Sequence, residues 1–328
     1  MADVSGDDRG QLVLVTALAM ATLFVVLALL VNTTIYTGNV AARSDVSESA
    51  TVVNYRTEAL DAAERTLRYA NRHENDSGDG SDAAYARMND SLRRGVGNWS
   101  DAAAAHEAFS GTATRTRVVG ATNGTRIAQT NASRTLSSPG GATEWTPVFD
   151  ATGVRDLRFA LGTASLATVS DGENESELLA SGAFRANLTD AAGTRSVFVY
   201  DLSGGDTGVT VRGADGTLTA CGPVTGETVT LDAEAATVDG QPCSALSRFD
   251  ESGDAFSLSF DSADAAAGTY SFVVDREVDD DPAVNQSISL DSGAPFRTAA
   301  LYDATVRVVY HGPDTYYEAE TEVPDASA

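Results

Sequence analysis

The feature that most constrains this chain is an apolar segment near its start, Leu12–Val31. Its 20 residues include no charge, proline or glycine, and 13 of them are Leu, Val or Phe. As an α-helix the segment would be about 30 Å long, which matches the hydrocarbon core of a bilayer. Because such a helix is apolar on every side, the pattern favours a transmembrane helix over an amphipathic surface helix.

Two other interpretations of this segment compete. A buried core helix is uncommon at this length. A cleavable secretory signal usually has a basic leader and an apolar region of about 7–15 residues, whereas Met1–Gly10 carries three aspartates and one arginine, although small residues do occur at Val40–Ala42. We therefore predict a cytoplasmic leader over residues 1–10, a transmembrane helix over 11–35 held in membrane lipid, and an extracellular remainder. The expected location is the cell membrane, with a single pass.

The junction Arg9-Gly10-Gln11-Leu12 resembles the class III signal of archaeal type IV pilin-like precursors. In that family a charged residue and a glycine precede the cut, and the apolar helix follows it and is retained. The resemblance covers about 25 of 328 residues. It implies cleavage between Gly10 and Gln11 by a prepilin peptidase. Many bacterial pilins carry a glutamate at the fifth mature position, where this chain has Val15, so docking in the bacterial manner is not implied.

The same resemblance implies a function. The chain would be a structural or accessory subunit of a type IV pilus-like surface filament, with the pilus-assembly machinery as partner and self-association through the N-terminal helix. The alternative is a plain signal anchor carrying a non-assembling ectodomain, which would act in adhesion or bind an envelope component.

The charge balance is strongly acidic, with 47 carboxylates against 22 basic residues and a net charge of −25. All the basic residues are arginine. Small domains usually carry net charges of only about 2–8. Dense carboxylates stay hydrated in concentrated salt, which screens their repulsion, so we predict a halophile-type surface. Such a surface repels phosphate backbones, and we expect no nucleic-acid partner.

The chain has two cysteines, Cys221 and Cys243. In a reducing compartment they would be two small buried hydrophobes. Outside the cell they would form a disulfide that closes a loop of about 22 residues and stabilises the fold by roughly 3 kcal/mol. The predicted topology favours the disulfide.

Nine of the twelve asparagines begin an Asn-x-Ser/Thr sequon, the acceptor for N-glycosylation. Asn32 lies at the predicted membrane edge and is set aside. The remaining candidates are Asn75, Asn89, Asn98, Asn123, Asn131, Asn174, Asn187 and Asn285.

Residues 36–111 form a predicted helical stalk region that continues the membrane helix. Apolar residues recur every seven positions at Val46, Val53, Leu60 and Leu67, which fits a helix packed on its own domain or a stalk that packs against other copies. Asn75–Asp82 is a break; it is typical of a polar turn, because a calcium loop would need Glu where Ala86 stands. A second helix is predicted over Ala83–Phe109.

After Gly111 the residue pattern changes. Short runs alternate apolar and polar residues and are separated by Gly, Asp, Asn and Thr. This pattern predicts an antiparallel, β-sandwich-like extracellular domain over residues 112–323 and a tail over 324–328. The expected fold class is therefore α+β, with a single N-terminal transmembrane helix, a helical stalk and a β-rich ectodomain.

No catalytic or metal-binding signature is visible in the sequence. Without lysine there is no phosphate-binding Walker loop, and no Gly-x-Ser-x-Gly elbow occurs. His73 and His106 each precede a glutamate but lack the second histidine of a helical zinc motif. The run Asp279–Asp281 is typical of a solvated turn. We expect no enzyme activity, no cofactor and no metal; a glycosidase would need two carboxylates that meet only in the folded chain.

Overall fold

The computed structural model describes residues 49–76, 80–249, 254–290 and 293–324, together with positions 20, 23, 24 and 27. The Arg9–Leu12 junction and nearly all of Leu12–Val31 lie outside these residues. Met20, Leu23, Phe24 and Leu27 are helical and exposed. In the described part of the chain, none of the helices combines the length and the apolar character needed to cross a bilayer.

Two helices form an antiparallel hairpin at the start of the described chain. Helix α1 covers residues 49–73 and helix α2 covers Ser81–Glu107, followed by a 3₁₀ turn over Ala108–Ser110. The predicted break near Asn75 and the predicted second helix are confirmed. The helices contact each other at two places. The ring centroids of Tyr55 and Trp99 are 5.7 Å apart, and Thr66 lies against Gly95.

The buried face of α1 differs from the predicted heptad stripe. Val53 is 60% exposed and Leu60 is only partly buried, while Leu67 is fully buried. The face that packs on the sheet contains Val52, Tyr55, Ala59, Ala63, Leu67 and Ala70. Steps of three and four residues follow the helical period of 3.6, which keeps one face turned towards a flat sheet. The described part of the predicted stalk region is thus helical and packs on its own domain.

The rest of the chain is rich in strands and also contains a short helix, α3 (Glu175–Ala180). The strands are β1 (Ala113–Gln129), β2 (Trp145–Ala151), β3 (Val154–Gly162), β4 (Thr168–Val169), β5 (Phe184–Asp190), β6 (Gly193–Leu202), β7 (Thr207–Arg212), β8 (Leu218–Val224), β9 (Thr228–Asp232), β10 (Thr237–Val238), β11 (Gln241–Pro242), β12 (Phe256–Asp261), β13 (Ala267–Val274), β14 (Ser289–Leu290), β15 (Phe296–His311) and β16 (Tyr316–Pro324).

Within the described residues the strands form two sheets. The first has the order β11-β10-β9-β3-β13-β1-β15-β14, with β16 also paired to β15. The second has the order β2-β12-β5-β6-β7-β8, with β4 paired to β6. The β14–β15 and β4–β6 pairs are parallel and the others are antiparallel. The predicted α+β class, with a β-rich and mostly antiparallel domain, is confirmed.

The long β1–β15 ladder contributes to two hydrophobic cores, one beneath the helical hairpin and one between the two sheets. Near one end, Val118 and Val306 pack with Leu67 and Met88 of the helical hairpin. Near the other end, Ile127 belongs to the core between the two sheets. The centre of that second core is aromatic and includes Phe159, Phe184, Phe260, Tyr270 and Phe272, several of them edge-to-face.

A disulfide links Cys221 to Cys243, with a Cα–Cα distance of 5.5 Å. Cys221 lies in β8 at the edge of the second sheet, and Cys243 directly follows β11 at the edge of the first. The predicted pairing is confirmed, and the bond holds the edges of the two sheets together.

Candidate interaction surface at one end of the fold

Five chain segments meet at one end of the fold, which we call the hairpin end. They are the start of α1, the turn after α2, the start of β1, the end of β15 and the start of β16. Ala113 of β1 pairs with His311 of β15, which in turn pairs with Tyr316 of β16. This end is also where the chain that follows the apolar segment enters the described fold.

A buried aromatic cluster supports the hairpin end. The Tyr55 ring lies 5.7 Å from Trp99 and 6.0 Å from Tyr310. Its hydroxyl shares a 3.0 Å hydrogen bond with the Thr116 hydroxyl. Tyr55 thus connects α1 to α2 and to the strands β1 and β15. These contacts fix the position of α1 at the hairpin end.

Three large apolar side chains at the hairpin end are exposed, but they do not share one face. Val53 is 60% exposed, Phe109 is 94% exposed and Tyr316 is 63% exposed. Tyr317 packs with the helix-side cluster, so Tyr316, the residue before it in β16, lies on the sheet face opposite α1. Single exposed apolar side chains are common, and Phe109 in the turn after α2 is the most exposed of the three. Covering it would remove apolar area from water at about 25 cal/mol per Å².

Hydrogen bonds and ion pairs partly compensate the charged groups on β16. The Tyr316 hydroxyl donates to the Glu318 carboxylate, and this bond raises the pKa of Tyr316, so the phenol stays neutral. Arg307 contacts both Glu318 and Glu320, and its pKa is raised mainly by the hydrogen bond to Glu320. The carboxylates on β16 are therefore partly compensated on an otherwise strongly acidic protein.

Sequence reasoning missed this surface because its parts are far apart in the chain. A usable signal was present for Phe109, which lies off the buried stripe of α2. That stripe consists of Ala84, Tyr85, Met88, Leu92, Val96 and Ser100. The helical period turns position 109 away from the core. An aromatic residue at such a position indicates an exposed apolar side chain.

The predicted processing residues Arg9, Gly10, Gln11 and Leu12 lie outside the described residues. The eight predicted sequon asparagines lie within them, in three kinds of environment. Asn98, Asn131 and Asn174 are exposed. Asn75, Asn89, Asn123 and Asn285 are partly buried. Asn187 is buried in β5.

The hydrogen bonds of these asparagines separate suitable acceptors from unsuitable ones. Asn187 is 6% exposed, and its amide nitrogen donates to Asp261 at 2.9 Å. A glycan at this position does not fit the folded domain. Asn131 and Asn174 instead accept backbone N–H bonds through Oδ1, from Ser133 and Ser176, at 3.0 Å each. This leaves their exposed nitrogens available for a glycan.

Two carboxylates do converge on the first sheet, a feature that sequence alone could not show. Arg155 lies 2.6 Å from Glu322 and 4.0 Å from Asp303, and its guanidinium stacks 4.5 Å from the centre of the Tyr302 ring. Burial raises the pKa of Asp303. Because the cation contacts both acids, the arrangement is a surface ion network. Across the described residues, no group of three or more His, Cys, Asp or Glu side chains is placed to hold a metal.

Comparison with known proteins gives one similarity. Residues 6–147 match a family model described as "Family of unknown function (DUF7261)". The matched part includes the Arg9–Leu12 junction, the apolar segment, both helices and β1. No curated protein and no solved structure matches the chain.

Proposed function

We propose that this chain is a single-pass membrane protein of the cell surface and a structural or accessory subunit of a type IV pilus-like filament. It is cut after Gly10 and then held in the membrane by residues 11–35. The observation that carries this proposal is the placement of Arg9-Gly10-Gln11-Leu12 directly before an uncharged segment of 20 residues.

Three features of the chain support an extracellular position for the β-rich domain. The Cys221–Cys243 disulfide suits an oxidising exterior. The net charge of −25 suits exposure to concentrated salt. The exposed sequons at Asn131 and Asn174 suit a glycosylated surface.

The position of α1 supports a role for the hairpin end in assembly. The chain from the anchor enters the fold at this end, where Phe109 in the turn after α2 is exposed. In a filament of such subunits, this end would face the packed N-terminal helices. We assign the exposed Phe109 side chain to that contact.

Processing can be tested on the membrane fraction by N-terminal sequencing and mass analysis. The proposal expects a mature chain that begins at Gln11. Gly10→Val should abolish the cut because the peptidase requires the small residue before it, and Gly6→Val, a matched change within the leader, should leave the cut in place. A native chain that begins at Met1 or Ala2 would contradict the proposal.

A second candidate is a non-assembling anchored ectodomain for adhesion or for binding an envelope component. One observation favours it: the apolar stripe of α1, including Tyr55, Ala63 and Leu67, is already buried against the chain's own sheet. That stripe is therefore not available for lateral packing between subunits from residue 52 onward.

Native electrophoresis of the detergent-extracted protein separates the two candidates. A ladder of oligomers that is reduced by Phe109→Ser supports the filament subunit. A monomer at every concentration supports the non-assembling ectodomain. Leu179→Ser is the matched control, since Leu179 is an exposed residue on α3, away from the hairpin end.

A further inference from the structure

A groove follows the solvent side of the seam between α1 and α2. The helices approach closely at Gly95, where an added Cβ would lie 2.3 Å from the Thr66 methyl group. Above this contact the groove has a volume of about 370 Å³. Its walls are formed by Arg65 and Tyr69 of α1 and by Ser91, Arg94 and Asn98 of α2.

In the described part of the chain, two arginines without a carboxylate partner line this one groove. Arg65 and Arg94 are exposed, and among the described residues neither has a carboxylate within 4.0 Å. Eight other arginines do have one, namely Arg68, Arg155, Arg158, Arg185, Arg195, Arg212, Arg276 and Arg307. Two guanidinium groups that line one groove repel each other, and an anion between them would replace that repulsion with attraction.

The other groups in the groove indicate what would carry the anion. Guanidinium groups bind carboxylates and sulfates through paired hydrogen bonds. The Tyr69 ring packs against the His73 ring, with centroids 4.5 Å apart, and remains 54% exposed, while Ser91 and Asn98 offer hydroxyl and amide groups. An aromatic face beside neutral polar groups suits a sugar ring. The volume lies within the range of about 300–1,000 Å³ that is typical of small-ligand sites.

We propose that this groove binds an acidic saccharide, a sugar that carries a carboxylate or a sulfate. Arg65 and Arg94 hold the anionic group, Tyr69 packs against the ring, and Ser91 contacts its hydroxyls. Arg65 also lines the adjoining part of the seam, where Glu58 and Asp61 repel anions, so the charged group is held between Arg65 and Arg94. This proposal does not depend on assembly into a filament.

Isothermal titration of the full chain at constant ionic strength tests the site, with galacturonate as the probe and galactose as its neutral counterpart. We expect a measurable heat of binding for galacturonate and none for galactose. Arg65→Ala and Arg94→Ala should each weaken binding by about tenfold, the effect of losing a charge-assisted hydrogen bond. Arg93→Ala is the matched control, an exposed arginine of α2 outside the groove wall, and should leave the affinity unchanged within about twofold.

A second arm separates a saccharide site from a bare anion site. Tyr69→Ala should weaken galacturonate binding and leave the binding of inorganic sulfate unchanged. The proposal is overturned if sulfate binds as tightly as galacturonate, or if Arg93→Ala costs as much as Arg94→Ala. It is also overturned if no saccharide binds and Arg94→Ala instead abolishes self-association, which would assign the groove to the acidic surface of a second copy. Circular dichroism confirms that each variant is folded.

Discussion

Asn71, near the end of α1, hydrogen-bonds both backbone groups of Leu301 in β15. Its Nδ2 donates to the Leu301 carbonyl at 2.9 Å, and the Leu301 N–H donates to its Oδ1 at 2.7 Å. Leu301 lies opposite Asn123, at a shift in the β1–β15 register. A helix side chain thus takes the place of a neighbouring strand and joins the hairpin to the sheet.

Asn71→Ala should therefore destabilise the fold. The substitution leaves a buried N–H and a buried carbonyl without partners, and we expect a loss of about 2–3 kcal/mol in the free energy of unfolding. Urea unfolding at fixed salt measures it. Asn54→Ala, an exposed asparagine on the same helix, should change stability by less than about 0.5 kcal/mol. Equal effects of the two substitutions would contradict the role given to Asn71.

Two glycines in α2 should respond in opposite directions to alanine. Gly95→Ala places a methyl group 2.3 Å from the Thr66 methyl, so we expect a loss of about 1–3 kcal/mol from overpacking. Gly97 has open space around an added Cβ, and Gly97→Ala should gain about 0.5–1 kcal/mol from helix propensity. Thermal unfolding compares the pair. Adding Thr66→Ser to Gly95→Ala should recover part of the loss; no recovery would place the clash elsewhere.

Two buried tyrosines should also differ when changed to phenylalanine. The Tyr85 hydroxyl donates to the Gly124 carbonyl at 2.9 Å and accepts from the Val278 N–H at 2.8 Å. Tyr85→Phe should cost about 2 kcal/mol. The Tyr270 hydroxyl is buried and has no partner in the described part of the chain, so Tyr270→Phe should be neutral or stabilise by up to about 1 kcal/mol. A large loss at Tyr270 in urea unfolding would show a partner for its hydroxyl.

Stability should fall as the solution becomes alkaline. Burial raises the pKa of Tyr85, Tyr200 and Tyr270 above the ordinary value of 10.0. Above that pH the unfolded chain loses these protons while the folded chain keeps them, so the free energy of unfolding decreases as pH rises. The chain has no lysine, and few other side chains titrate there.

Unfolding at several pH values between about 8 and 11 checks the slope. Tyr270→Phe removes one such proton and should make the decline shallower by up to about 1.4 kcal/mol per pH unit. A slope that is unchanged in this variant would contradict the assignment.

Local patterns predicted much of the fold. The break near Asn75, the second helix, the antiparallel strands and the Cys221–Cys243 pair follow from residue type and spacing. The buried face of α1 did not follow from the sequence. The predicted heptad through Val53 and the observed stripe through Val52 and Tyr55 are both compatible with a helix. Only the sheet that the helix packs on decides between them.

The hairpin end could not be predicted for a related reason. Phe109 and Tyr316 are separated by about two hundred residues and are brought to one end by the pairing of β15 with both β1 and β16. The same applies to Asn187, whose sequon has the ordinary form but lies on a strand that the second sheet buries. Strand order and burial are long-range properties that a short motif does not record.

The β1–β15 ladder, with its 15 registered pairs, has a mechanical consequence. Its hydrogen bonds run perpendicular to the strands, and it extends from the end where α1 begins into the core between the sheets. Tension applied between the start of β1 and the far core would load many of these bonds together in shear, rather than breaking them one after another. A domain built in this way would resist rupture under a pull along its length.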